Sequence, residues 1–482
     1  MKKLLGFLCV ALALGAQAQP PAQKMNDLMK AYFDAEQFMG TVLVAEKGKI
    51  VYENGFGFAN REWEVPNRPE GVFNIASITK VFTGTLTMRL VQEGKLKLDD
   101  KVSDFLPYYR KDIGGKVTVH HLLTHSSGIP NFLELSGFMT AGAREPMGNL
   151  EDFIKKYCSR DLEFEPGSTF KYNNSGYVIL GAIIEKASGM TFEEALRDRI
   201  LVPCGMTHSG LDYNRLSIPK KMTGYTRKLD GSFEIAPYWD RSWTFSAGQM
   251  YSNAHDLMKF HQALMGESLL KKEYLEMMFT PYFPAFKTMH YGYGWTIRDV
   301  PDKDGRKLKV ASHEGGIFGV NTYFLSLPEK DQVVVLLNNT QDTPGKEISD
   351  NLLAILNGTP YALPRRSIAR EIFREVNRAG VADAMRLYDR LKNERGKEYS
   401  FGEHELNELG YELLRSRRVD EAITVFLKNV EVFPDSGNAH DSLGEGYLTR
   451  GDKANALASY KKAVELDPKN ENAKRIIADL EK

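Results

Sequence analysis

Four landmarks near the carboxyl end repeat at one fixed spacing. Leu409-Gly410, Ala422, Phe426 and Pro434 return as Leu443-Gly444, Ala456, Tyr460 and Pro468, each displaced by 34 residues. Such a set leaves few local folds open. Small residues belong where two helices cross, and proline closes the second helix because it cannot extend the hydrogen-bond ladder. Each unit therefore reads as a helical hairpin that cannot bury its apolar face alone, so the units must stack. Ala473 to Leu480 supplies a capping helix, and Ala384 with Tyr388 marks a looser unit upstream. The boundary falls near Thr359-Pro360-Tyr361-Ala362-Leu363-Pro364, which gives a linker over 359–370 and an all-α part over 371–482.

The whole chain has 482 residues, enough for more than one domain, and its 42% hydrophobic and 26% charged content is that of folded globular protein. Formal net charge is zero and no basic block occurs, which argues against nucleic acid as a partner. Residues 1–18 read as a secretory signal. Lys2 and Lys3 are its charged start, Leu4 to Leu14 its apolar core, and Ala16-Gln17-Ala18 its small-x-small cleavage site. That core is too short to span a membrane, and no other stretch could. Cys9 lies inside it without the small residues that precede a lipoprotein cysteine. The expectation is an exported protein, periplasmic or secreted. Cys158 and Cys204 then remain, and both a disulfide and two free thiols are open.

Between these ends, residues 19–358 alternate strand and helix signals. Met25 to Phe38 has an amphipathic helical pattern; Gly40 to Ala45 and Ile50 to Glu53 read as strands around a tight turn, and Phe56 to Glu64 as another. Thr118 to Gly128 is a short helix that opens on a capping residue and ends on glycine. Glu151 to Gly210 is helical with proline and glycine breaks. Lys309 to Ala311, Gly319 to Leu327 and Gln332 to Asn338 close the domain as strands. Strands at both ends with helices between imply one sheet built from distant parts of the chain, with a helical insertion.

The chemistry centres on Phe73-Asn74-Ile75-Ala76-Ser77-Ile78-Thr79-Lys80. A helical run follows as far as Gly94, which puts Ser77 at or near a helix start and Lys80 one turn further on the same face. Free N–H groups and the helix dipole there favour the anion formed on attack. A serine hydroxyl needs a base in contact, and an amine can serve if burial keeps it neutral. The pair alone is weak, since a chain this rich in Ser and Lys holds roughly one or two by chance. Tyr172-x-Asn174 before an apolar helix, and Ser312-His313-Glu314-Gly315-Gly316 at a strand end, strengthen it. His121 and His125, four apart on the short helix, have zinc-compatible spacing. Leu122 stands where a metalloprotease has its glutamate, so a structural role is preferred and no metal or cofactor is expected.

In this order and spacing, Ser-x-x-Lys, Tyr-x-Asn and a basic residue followed by x-Gly resemble the three motifs of the serine β-lactamase and penicillin-binding family. Tyr-x-Asn is similar to the class C branch, which includes D-alanyl-D-alanine carboxypeptidase and esterase relatives. His121 to Pro130 and Ser246 to Ser252 also resemble that branch. The resemblance covers about Met25 to Gly358 and implies an α/β (α+β) fold, an antiparallel sheet flanked by helices with a helical subdomain. The 34-residue units in turn resemble tetratricopeptide repeats, which implies a possible protein partner.

The first resemblance implies roles. Ser77 attacks a carbonyl of a small-molecule or peptide substrate to form an acyl-enzyme, and Lys80 and Tyr172 share its proton. Tyr172 serves as base only if cations such as Lys80 lower its pKa. Asn174 orients Lys80 and holds the substrate amide; Ser77 and Gly316 N–H groups form the oxyanion hole, with Gly315 and Gly316 allowing close approach. One departure stands out. Class C enzymes carry Lys in the third motif where this chain has His313, a weaker anchor for a substrate carboxylate. Peptidase or esterase activity is therefore expected ahead of efficient β-lactam hydrolysis. An α/β-hydrolase esterase is disfavoured because no Gly-x-Ser-x-Gly occurs. The other class of reading is a catalytically weak or inactive scaffold that works through its repeats; intact Ser77, Lys80, Tyr172 and Asn174 count against it.

Overall fold

A computed structural model describes residues 19–135, 138, 145–341 and 343–482. The signal-like segment 1–18 lies outside the described residues, as does part of the loop between Asn131 and Leu150.

The apolar segments at the two ends of the first 358 residues meet in one sheet. Its strands are β1 (Gly40–Glu46), β2 (Lys49–Phe56), β3 (Phe283–Phe286), β4 (Met289–Tyr291), β5 (Thr296–Pro301), β6 (Lys307–Ile317), β7 (Val320–Leu327) and β8 (Gln332–Asn338). The order is β3-β4-β5-β6-β7-β8-β1-β2, with every neighbouring pair antiparallel. β8 is buried along its whole length, which explains its continuous apolar run. Its alternate residues feed two cores. Val334 and Leu336 join Met25, Leu28 and Tyr32 of helix α1 (Pro21–Asp34) on one face. Val333, Val335 and Leu337 face the larger helical layer. That layer holds α2 (Thr79–Gln92), α3 (Asn174–Ser188) and α4 (Ala254–Met265), while α5 (Gly345–Asn357) lies beside α1. The fold is mixed α/β with an antiparallel sheet, as the sequence implies.

Two expectations need correction. Phe56 to Glu64 is not one strand: Phe56 ends β2, Phe58–Asn60 is a separate short strand, and the Arg61–Glu64 stretch turns, with Glu64 at φ 51 and Trp63 82% exposed. The strand expected over Lys309 to Ala311 is longer, because β6 runs on through Ser312 to Ile317, so the third motif forms the strand's own end, with His313 paired to Phe324 and Gly316 to Asn321.

Beyond Gly358 the described residues are mainly helical: Ile368–Ala379, Val381–Arg395, Glu403–Arg415, Val419–Val432, Gly437–Arg450, Lys453–Leu466 and Glu471–Leu480. The repeated landmarks explain themselves in the packing. A Cβ on Gly410 would lie 2.2 Å from the Phe426 ring, and one on Gly444 would lie 3.1 Å from the Tyr460 ring. The helices cross closely in both units: a Cβ at Gly410 would overlap the ring, and one at Gly444 would press against it. This part is also attached to the sheet domain. Leu229, on the turn between the short strands Tyr225–Arg227 and Phe233–Ile235, is buried in the same cluster as Ile368, Ile372 and Phe373. Glu36 pairs with Arg370, and Gln37 Nε2 donates to the Arg365 carbonyl at 2.7 Å. Among the described residues, no helix is long and apolar enough to cross a membrane.

Candidate active site

Ser77 is held at a backbone elbow. Phe73–Asn74 pairs with Met250–Ser252, and Ile75 N–H donates to the Met250 carbonyl at 2.9 Å. Asn74 Oδ1 then accepts the Ala76 N–H at 2.9 Å, with Ala76 at φ 43 in the left-handed region. A non-glycine residue there is strained and is kept only by its surroundings. The following 3-10 turn, Ala76–Ile78, presents Ser77 ahead of α2 and leaves it half-buried.

Lys80 occupies the first turn of α2 and is fully buried. Its Nζ lies 3.1 Å from Ser77 Oγ, 2.8 Å from Asn174 Oδ1 and 2.8 Å from the Ala247 carbonyl oxygen. No carboxylate forms an ion pair with it among the described residues, and burial pushes its pKa well below the usual lysine range. A neutral amine has two N–H donors and one lone pair. The two oxygen acceptors take the N–H groups, so the lone pair is left for the Ser77 hydroxyl. Asn174 is fixed in turn: it opens α3, and its Nδ2 donates to Asn131 Oδ1 at 3.3 Å.

Tyr172, just before α3, lines both cavities beside Ser77, and its ring centroid lies 4.9 Å from Lys80 Nζ. Burial raises its pKa above the ordinary phenol value, with the nearby Ser77 hydroxyl opposing. The expected lowering by Lys80 fails because a neutral amine has no charge to stabilise a phenolate. Tyr172 is therefore a protonated donor in this state, with Lys80 alone suited to be the base.

His313 lies on β6 and is buried. Its Nδ1 donates to the Glu314 carbonyl at 2.6 Å, since a carbonyl can only accept. Nε2 must then accept from the Tyr291 hydroxyl at 2.9 Å. Both nitrogens are committed, and burial pushes the pKa down to about 3. The ring is neutral at ordinary pH and offers no charge to a substrate carboxylate. The glycine pair divides its labour. A Cβ on Gly315 would meet the Ile75 carbonyl oxygen at 2.2 Å and Thr322 Oγ1 at 2.4 Å, whereas one on Gly316 meets nothing within 4 Å. Close approach is thus the requirement of Gly315, which seats β6 against the Ser77 elbow. Gly316 lines the cavities on both sides of Ser77.

Those cavities have volumes of about 530 and 400 Å³. The larger lies on the His313 side, with Phe286, Met289, Tyr291 and Tyr323 in its walls. The smaller is bordered by Leu133, Asn174, Trp239 and Phe318.

His121 and His125 do not share a helix face. The helix is Val119–Leu123; His121 Nδ1 accepts the Thr118 N–H at 3.2 Å, while His125 lies past the end at φ 57. The His125 ring packs 4.4 Å from Tyr172 and 4.5 Å from Tyr291, centroid to centroid, and Nδ1 accepts the Asn173 N–H. Among the described residues no group of three or more His, Cys, Asp or Glu is placed to hold a metal ion. Cys158 and Cys204 are free thiols, raised by burial to about 12 and about 11.

Sequence reading passed over Tyr291, Asn131 and the Ala247 carbonyl. The alternating run Tyr291-Gly292-Tyr293-Gly294-Trp295 was a signal for the first: a Cβ on Gly292 would lie 2.2 Å from the Met278 carbonyl oxygen, and Gly294 has φ +82. A backbone carbonyl leaves no residue-type signal.

The model of the family described as Beta-lactamase matches residues 25–358. Penicillin-binding protein 4* of Bacillus subtilis (strain 168) is 29% identical over 365 residues, which cover 72% of this chain and 79% of that protein. The octameric penicillin-binding protein homologue from Pyrococcus abyssi superposes with a TM-score of 0.61 at 32% identity, covering 73% of this chain and 81% of its own. D-amino acid amidase from Ochrobactrum anthropi SV3 superposes with a TM-score of 0.59 at 24% identity over 70% of this chain and 99% of its own, a likeness of fold. A buried lysine against a serine at a helix start, with Tyr-x-Asn and His-x-Gly converging on it, sits inside the matched span. The chain belongs to the beta-lactamase family of serine hydrolases.

Proposed function

We propose that this chain opens amide or ester bonds through an acyl-enzyme on Ser77, acting as a peptidase or esterase rather than as an efficient β-lactamase. The observation that carries the reading is the environment of Lys80: buried, without a carboxylate partner, its N–H groups taken by Asn174 and Ala247 and its lone pair directed at Ser77. Lys80 takes the Ser77 proton as Oγ adds to the substrate carbonyl. The Ser77 N–H and the Gly316 N–H stabilise the oxyanion. The C–N or C–O bond then breaks, and the proton held on Lys80 passes through the Tyr172 hydroxyl to the leaving group. Water repeats the cycle to release the acid. Neutral His313 supports the preference against β-lactams, because their carboxylate finds no fixed cation there.

Export is proposed from the signal-like segment 1–18, and binding of a protein partner from the 34-residue helical units. A fluorophosphonate probe tests the central reading. Covalent labelling of the wild-type protein that is lost in Ser77→Ala is expected; Ser77→Ala labelled at wild-type stoichiometry overturns it. A screen against D-amino acid peptides, short-chain esters and a chromogenic cephalosporin then ranks the substrates.

A further inference from the structure

The larger cavity beside Ser77 has a charge pattern unlike that of a carboxylate-binding site. The third motif reads His313-Glu314-Gly315, and Glu314, alone among the three, is exposed. Its carboxylate lines the cavity and accepts from Asn321 Nδ2 at 3.0 Å. No salt bridge reaches it among the described residues, whereas the cavity's lysine is drawn to a carboxylate: Lys346 Nζ lies 2.8 Å from Asp350, which it shares with Arg298. His313 brings no charge, because both its nitrogens are held by Glu314's own carbonyl and by Tyr291. The remaining walls are aromatic or apolar. The cavity thus carries an unpaired carboxylate whose charge reaches Tyr172 beside Ser77, and the aromatic rings of Tyr291 and Tyr323 in its walls suit a cation as well.

We propose that Glu314 makes this cavity select for substrate portions carrying a positive charge and against portions carrying a carboxylate. The inference rests on the hydrolase reading above and names its substrate class. A carboxylate placed near Glu314 meets a like charge in a partly desolvated cavity, and a cation meets an opposite one. At the effective dielectric of such a site this difference is worth about tenfold or more in kcat/KM.

Two series of isosteric esters test it, one with the charge on the alcohol and one with it on the acyl part. Each contains a trimethylammonium member, a neutral tert-butyl member and a carboxylate member. The readout is the cation-to-anion ratio of kcat/KM, which a general loss of activity does not move. The ratio should exceed about tenfold in one series for the wild-type chain, fall severalfold in Glu314→Gln and persist in Glu314→Asp. A ratio equal in wild-type and Glu314→Gln proteins in both series overturns the proposal, as does a ratio that follows Lys346→Gln instead. A wild-type protein that hydrolyses none of the esters and takes no fluorophosphonate overturns the hydrolase reading itself.

Discussion

Replacing Gly315 by alanine tests how the site is assembled. The added Cβ would sit 2.2 Å from the Ile75 carbonyl oxygen and 2.4 Å from Thr322 Oγ1, against an ordinary contact near 3.4 Å. Ile75 is two residues before Ser77 on the same strained elbow, so the clash cannot be relieved by a side-chain rotation. β6 must recede by about 1 Å, and a misplacement of that size costs about 100-fold in rate. Thr322 Oγ1 also donates to the Ile75 and Gly315 carbonyls at 3.2 Å, and these bonds weaken as the strand moves. Overpacking with a weakened hydrogen bond places the stability loss at about 2–4 kcal/mol. Fluorophosphonate labelling rate and urea denaturation measure the two effects in one preparation. Gly316→Ala is the control for stability, because its Cβ would meet nothing within 4 Å, and its denaturation midpoint should match wild type. A Gly315→Ala protein with wild-type labelling rate and midpoint would refute the close-approach argument, as would destabilisation by Gly316→Ala instead.

Lys80→Met should slow acylation by about 100-fold or more, and the wild-type rate should fall only as pH drops through a lysine pKa far below its usual range, since the base works deprotonated. A wild-type acidic limb near the ordinary lysine value would contradict this. His313 stays neutral down to about 3 and His121 to about 4, while an unfolded histidine titrates near 6.5, so the unfolded chain binds more protons in that window. Stability should be complete above about pH 6.5 and decline steadily towards pH 3, a slope that denaturation midpoints will show and that His313→Asn should reduce. For the same reason no inflection near 6.5 in the pH–rate profile should come from His313. Leu229→Ala should cost about 2–5 kcal/mol, because a buried leucine is truncated within the helical cluster. A chain cut near Gly358 should be less stable than the intact one, since it exposes Leu229 and removes Arg370 from Glu36; an unchanged midpoint in either case would mean the helical part is only loosely attached.

Much of this protein was legible without coordinates because the relevant physics is local. The 34-residue displacement appears because the helices of each unit cross closely beneath an aromatic, at Gly410 under Phe426 and at Gly444 under Tyr460. Lys80 follows Ser77 by one turn because helical periodicity places it there, and the contact at 3.1 Å bears that out. The unbroken Val333–Leu337 run announced a strand buried on both faces. Boundaries were less legible where polar turns interrupt extended chain, as at Arg61–Glu64.

What the tertiary structure alone decided are properties that belong to surroundings rather than to residue type. Lys80 becomes a neutral base through burial, while acceptors 94 and 167 residues away, Asn174 and the Ala247 carbonyl, hold its N–H groups. Tyr172 remains a proton donor because that amine carries no charge. His313 stands in sequence as the basic residue of the third motif, but the Glu314 carbonyl and Tyr291 fix its tautomer and burial suppresses its charge. Spacing also cannot tell which of two adjacent glycines needs to be one; that depends on Ile75 lying against Gly315 across the fold. Leu229 lies on a turn between two short strands, yet it is buried with the helices that begin at Ile368. Periodicity encodes how a segment folds upon itself, whereas pKa, tautomer and close approach depend on which distant segments desolvate it.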